Sequence, residues 1–155
     1  MLEITRILDP HCAKTAVAAN SRKRLLQVAS DVLAEHHPEL SARQLFDELM
    51  SRERLGSTGL GFGVAIPHCR IPCTGILGAI LTLEQPVDYD AVDDKPVDLL
   101  FVLVVPVDET SAHLEMLAAL ARLLGEKNNR RALRETKSDS ELYEQIVGMF
   151  SSEAA

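Results

Sequence analysis

The sequence predicts an α/β fold, a single domain over residues 1–155 in which a mixed central β-sheet is flanked by helices on both faces. Apolar runs of strand length fill the middle of the chain, and amphipathic helical patterns precede and follow them. The run from 99 to 105 is apolar without alternation, which is typical of a strand covered on both faces. No repeat, linker or low-complexity segment divides the 155 residues, so one domain is expected.

Two helices and one strand are predicted in the first third of the chain. Residues 4–8 are predicted to form an edge strand. The first helix begins at the cap at positions 20–21, carries apolar residues at helical spacing, and ends before Pro38. The second helix begins with a capping box at Ser41 and ends at Gly56.

Strands and then helices are predicted in the rest of the chain. The predicted strands cover 64–66, 75–83 and 98–105. Helices are predicted over 111–124 and 130–135, and a third begins with a capping box at Ser138. The face of the 111–124 helix expected to point inward is Leu114, Leu117, Ala121 and Leu124.

Charge and hydropathy argue against several classes of function. Twenty-three acidic residues against sixteen basic ones give a net charge of -7, which disfavours binding to nucleic acid or to an anionic membrane surface. The longest apolar stretch, 99–107, is far shorter than the roughly 20 residues that cross a bilayer, and the N-terminus lacks a signal-peptide pattern. We therefore expect a cytoplasmic protein that does not insert into membranes, with its three cysteines reduced.

A glycine-rich stretch leads to a histidine. Four glycines fall within the eight residues 56–63, and a short apolar run with Pro67 then ends at His68. A nucleotide-binding P-loop would need lysine and a hydroxyl residue where Phe62 and Gly63 stand. A dinucleotide-binding fingerprint fails as well, because Ile66 occupies the place of its third glycine.

What remains resembles the parts of an anion site beside an imidazole. The loop offers backbone N–H groups and the hydroxyls of Ser57 and Thr58, and His68 follows at the end of a strand. A neutral imidazole is nucleophilic and could accept a phosphoryl group. The residues alone equally allow a strand-end histidine that is hydrogen-bonded to the backbone.

His113 is a second candidate. It lies in the first turn of the helix that follows the 98–105 strand, and such loops border the functional crevice in open α/β sheets. A helix N-terminus favours a neutral imidazole and a phosphoryl charge. The alternative is a helix-start histidine that faces solvent.

His68, Cys69 and Cys73 lack a second ligand pair at zinc spacing, so no metal site is predicted.

Two long runs carry a resemblance to a known family. Arg52-Glu53-Arg54-Leu55-Gly56-Ser57-Thr58-Gly59-Leu60-Gly61, followed by Gly63-Val64-Ala65-Ile66-Pro67-His68, resembles the signature of the fructose/mannitol-type enzyme IIA domains of the bacterial phosphotransferase system. The segment 96–106 and the His113-Leu114 pair fall where that family has its second characteristic segment. The resemblance covers nearly the whole chain, and within the family it is greatest to the nitrogen regulatory IIA proteins.

The resemblance implies a phosphohistidine carrier. An HPr-like phosphocarrier protein would donate a phosphoryl group to Nε2 of His68, while the backbone holds the other ring nitrogen. The second active-site histidine of the family corresponds to His113, and its active-site arginine to Arg52. No metal, nucleotide or other cofactor is implied, because the group arrives already activated. The loop residues implied to bind phosphate or hold the loop are Ser57, Thr58 and Gly59.

The resemblance leaves two functions open. The chain is expected to be a regulatory component whose phosphorylation state controls partner proteins such as kinases or transporters. The alternative is a sugar-specific fructose/mannitol-type IIA component that passes phosphate to a separate IIB protein. Phe62 and Cys69 depart from the family pattern, which usually has a polar residue and glycine there. Phe62 is expected at an apolar docking rim, and Cys69 as an oxidisable thiol beside the acceptor.

Overall fold

The structure, a computed structural model, describes residues 3–109 and 111–154. The described residues form six helices and six strands: α1 Ile4–Ile7, β1 Leu8–Val17, α2 Arg22–His36, α3 Ala42–Arg54, β2 Gly59–Gly61, β3 Val64–Ala65, β4 His68–Ile71, β5 Leu77–Val87, β6 Val97–Pro106, α4 Ala112–Leu124, α5 Lys127–Arg134 and α6 Asp139–Ala154.

The strands of the described residues build one mixed sheet. β1 lies at an edge and runs parallel to β5, which is antiparallel to β6. The other side of β6 pairs in parallel with β3 and then with β4, because Val64 is opposite Leu99 and His68 is opposite Leu103. After the glycine-rich loop, β3 and then β4 therefore run alongside β6, and His68 lies next to the C-terminal half of β6.

The centre of the core is β6. Every residue from Leu99 to Val105 is buried, and because side chains of a strand alternate between two faces, both faces of the sheet are covered. α2 packs against α3 and β5, and α6 packs against β1 and α5. The predicted fold class, a mixed sheet between helices, is confirmed.

The N-terminal strand lies later than the sequence predicts. Residues 4–8 were expected to be an edge strand, but Ile4–Ile7 is one helical turn and the edge strand is Leu8–Val17. Pro10 and several polar side chains hide this strand from pattern recognition. Proline is tolerated there because an edge strand leaves one row of backbone groups unpaired.

The inward face of α4 also differs from the prediction. The buried residues are Met116, Leu120, Leu123 and Leu124, whereas Leu114 is 58% exposed. The helix carries leucine or alanine on most of its sides, so the helical spacing of apolar residues is compatible with more than one inward face. The consequence is that Leu114 points away from the core, toward the surface beside β4.

The remaining predicted helices and strands are present with shifted ends, and the short strands β2 and β4 are additions. Within the described residues, no helix combines the length and the apolar character that a bilayer span requires.

Candidate functional site

A cavity of about 440 Å³ opens beside the end of β4. Its walls come from α3, β4, the end of β6 and the start of α4. Arg52, His68 and His113, which the resemblance implies as active-site residues, all line this one cavity. Three residues that are far apart in the sequence therefore line one cavity, as the family resemblance leads us to expect.

The imidazole of His68 is oriented by the backbone. Its Nδ1 lies 2.9 Å from the carbonyl oxygen of Ile66, and since a carbonyl only accepts, Nδ1 carries the proton and donates it. The peptide around it is fixed, because the carbonyl of Pro67 accepts from the N–H of Leu103 at 2.9 Å. In the neutral form of this half-buried ring, Nε2 is therefore the nitrogen that carries the lone pair.

Arg52 approaches the cavity from the last turn of α3. Its Nη1 donates to the carbonyl oxygen of Gly56 at 2.9 Å, which holds the guanidinium against the start of the glycine-rich loop. One of its two terminal nitrogens is therefore anchored, and the cation stays beside the cavity.

His113 sits in the first turn of α4, and its Nε2 lies 3.3 Å from Nη2 of Arg70. Its Nδ1 is enclosed and has no hydrogen-bond partner among the described residues. Burial lowers the pKa of His113, and the charges of Arg70 and His68 lower it further against the opposing effect of Glu109. The ring is therefore neutral at neutral pH, as its place at a helix N-terminus leads us to expect.

Arg70 was not selected from the sequence. It lies two positions after His68 in β4, and residues two apart in a strand share a face, which is the signal that could have found it. The burial pattern agrees, since Cys69 and Ile71 are buried whereas Arg70 is exposed. Arg70 consequently faces the same cavity as His68.

The residues that line the cavity do not include the predicted phosphate-binding residues 57–59, which have their own partners. Thr58 is buried, and its hydroxyl contacts the carboxylate of Glu53 and lies 3.2 Å from the hydroxyl of Tyr89. The N–H of Gly59 donates to Oγ of Ser57 at 3.0 Å. These contacts account for the loop's shape, and a phosphate-binding role for Ser57, Thr58 and Gly59 stays a prediction.

Gly59 provides a direct test of the packing role. A Cβ at this position would lie 2.7 Å from the Cβ of Ala91, closer than carbon atoms can pack. We expect Gly59→Ala to lower the free energy of unfolding by about 1–3 kcal/mol, measured by urea denaturation. Gly75→Ala is the matched control, because a Cβ there meets nothing within 4 Å. Equal stability of the two variants would contradict the close approach of the loop to Ala91.

The two departures from the family pattern lie in different environments. Cys69 lines the cavity, but burial raises the pKa of its thiol to about 12, so the reactive thiolate is scarce at neutral pH. Phe62 is 59% exposed and stacks against Arg130 on α5, with 4.5 Å between the guanidinium carbon and the ring centre. Its side chain packs on that helix, away from the cavity wall.

Among the described residues, no three His, Cys, Asp or Glu side chains are placed to share a metal ion.

Comparisons with known proteins agree with this arrangement. The model of the family described as "Phosphoenolpyruvate-dependent sugar phosphotransferase system, EIIA 2" matches residues 6–148. A nitrogen regulatory protein of Pseudomonas aeruginosa is 43% identical over 148 residues, which are 95% of this chain and 96% of that protein.

Solved structures show the same fold. The crystal structure of the nitrogen regulatory protein IIA-Ntr from Neisseria meningitidis gives a TM-score of 0.86 at 39% identity, covering 93% of this chain and 97% of that one. In a complex of enzyme IIA mannitol with phosphorylated enzyme IIB mannitol from Escherichia coli, the matched chain gives 0.70 at 17% identity, covering 92% and 99%. The second likeness shows the fold alone, and the first confirms the resemblance drawn from the signature.

Proposed function

Since the chain belongs to the EIIA 2 family of the phosphoenolpyruvate-dependent sugar phosphotransferase system, in its nitrogen regulatory branch, we propose that it carries a phosphoryl group on Nε2 of His68. The observation that supports this most directly is the hydrogen bond from Nδ1 of His68 to the carbonyl of Ile66. Because that bond keeps the ring proton on Nδ1, Nε2 retains its lone pair at the wall of the cavity.

The proposed donor is an HPr-like phosphocarrier protein that is phosphorylated on its own histidine. The P–N bond of the donor breaks, and a new P–N bond forms to Nε2 of His68. The bonding electrons return to the donor ring, whose other nitrogen carries a proton, so no proton needs to move during transfer. The positive charge that develops on the His68 ring is stabilised by the Ile66 carbonyl, which accepts the Nδ1–H.

Positive charge beside the acceptor supports the transfer. Arg52 is the cation that we propose to neutralise the phosphoryl oxygens as they approach. His113 acts at the same site, where its ring contacts Arg70. The phosphoryl group arrives already activated, so the proposal includes no metal or nucleotide.

Exposed apolar side chains lie around the cavity and suit a partner surface. Leu55 is 85% exposed and Leu114 is 58% exposed, and both line the cavity opening. Large exposed leucines of this kind are typical of surfaces that bind other proteins. We propose that the phosphocarrier protein contacts them when it docks.

The phosphorylated chain is proposed to act as a regulator in the cytoplasm, where its charge state controls partner proteins such as kinases or transporters. Full-length similarity to nitrogen regulatory proteins supports this choice. The alternative, a sugar-specific component that passes phosphate to a separate IIB protein, is favoured by the fold shared with an enzyme IIA that was solved in complex with phosphorylated enzyme IIB.

Labelling from phosphoenolpyruvate tests the proposal. With 32P-phosphoenolpyruvate and the purified general phosphotransferase proteins, including the phosphocarrier, we expect one acid-labile phosphoryl group per chain. Adding a fructose or mannitol IIB protein with its sugar should leave that label in place. Rapid discharge to the sugar would favour the alternative, and the absence of any label would contradict both.

A further inference from the structure

The guanidinium of Arg70 bridges two elements of the cavity. Its Nη1 donates to the carbonyl oxygens of Pro106 at 3.1 Å and Glu109 at 2.6 Å, and its Nη2 lies 3.3 Å from Nε2 of His113. The arginine therefore connects strand β4, which carries His68, to the loop and helix that carry His113.

The hydrogen bond between Arg70 and His113 can form in only one direction, with the arginine as donor. An arginine side chain is always protonated and has no acceptor, so Nη2 donates and Nε2 of His113 accepts. The proton of the neutral imidazole is then on Nδ1, which is enclosed by protein. In this geometry His113 presents a lone pair, and not an N–H group, on the side that faces Arg70.

A phosphoryl group needs donors, because its oxygens only accept hydrogen bonds. Guanidinium has five N–H groups. Within the described structure, Nη1 is used by backbone carbonyls, while one N–H of Nη2 and the Nε–H have no acceptor. These free donors belong to an exposed side chain on the same strand face as His68.

We infer that Arg70 donates hydrogen bonds to the phosphoryl group on His68, and that His113 holds Arg70 in position by accepting one of its N–H groups. The inference rests on the proposed phosphorylation of His68 and gives that reaction a second cation in addition to Arg52. Arg52 reaches the cavity from α3, whereas Arg70 reaches it from β4. A permanent charge with paired donors suits a phosphoryl group better than a neutral imidazole does.

Four variants separate the roles. Arg70→Gln removes the charge, and we expect kcat for transfer from the phosphocarrier to fall by about 100-fold with little change in KM. Arg70→Lys restores the charge and should recover part of the rate. His113→Gln keeps an acceptor for Arg70 in its side-chain oxygen and should lose less than about tenfold, whereas His113→Leu should fall as far as Arg70→Gln.

The ring nitrogens give a readout that does not depend on rate. Two-dimensional 1H–15N spectra of the imidazoles should show the His113 proton on Nδ1 in the native chain. A proton on Nε2 of His113, or unchanged kcat in Arg70→Gln while the native chain is labelled, would overturn the inference and leave the proposed function standing. A native chain that takes up no label would refute the proposed function itself.

Discussion

Replacement of His68 by alanine should lower phosphorylation of the chain by more than about a thousandfold, because the nitrogen proposed to accept the group is removed. The fold should survive, since the ring is half-buried and its loss leaves one carbonyl, that of Ile66, without its donor. That loss costs about 1 kcal/mol. The measurement is acid-labile 32P incorporation, with urea denaturation of the same sample as a check on folding.

His11→Ala is the matched control for this experiment. His11 is an exposed histidine whose ring contacts Asp9 and stacks on His36, on a different part of the molecule. The His11→Ala variant should be labelled at the rate of the native chain. Acid-labile labelling of His68→Ala at a rate similar to that of His11→Ala would place the acceptor at another residue.

Replacement of Glu53 by alanine should lower the free energy of unfolding by about 3 kcal/mol. Glu53 is only 4% exposed, and its carboxylate accepts from the backbone N–H and hydroxyl of Thr58 and, at 2.9 Å, from the hydroxyl of Tyr89. Arg22 lies 3.7 Å away as its counter-charge. Removal of the carboxylate leaves buried donors without acceptors, which is far more costly than the loss of an exposed ion pair.

The matched control is Tyr89→Phe, which removes one hydroxyl and leaves the carboxylate paired. We expect it to cost about 1 kcal/mol. Thermal unfolding should show the same order, with the midpoint of Glu53→Ala lower by roughly 6–12 °C. If Glu53→Ala unfolds within 1 kcal/mol of the native chain, the hydrogen bonds of the buried carboxylate do not stabilise the loop.

Local signals in the sequence predicted the elements that depend on neighbouring residues. The caps are examples: Ser41 accepts from the N–H of Gln44 at 3.3 Å, and Ser138 accepts from that of Glu141 at 3.1 Å. The unbroken apolar pattern of β6 predicted its burial on both faces for the same reason, because the information lies within one segment.

Features that depend on distant partners were missed. Edge strand β1 exists because it pairs with β5, and no periodic pattern within its own residues marks it. Similarly, the hydroxyl of Thr58 lies 3.2 Å from that of Tyr89, which is 31 residues further along the chain, and no local pattern marks this contact. The family resemblance led us to expect Arg52, His68 and His113 at one site. The hydrogen bond that joins His113 to Arg70 could be identified only from the three-dimensional structure.

The attachment of Pro67 to Leu103 has a consequence for signalling. That bond ties the residue before His68, the proposed acceptor, to the most deeply buried strand, so the ring stands on a rigid support. Phosphorylation adds about 1.5–2 negative charges. We expect a partner to sense this new electrostatic field next to Leu55 and Leu114 without any change of shape, and hydrogen exchange in β6 should then be identical in both forms.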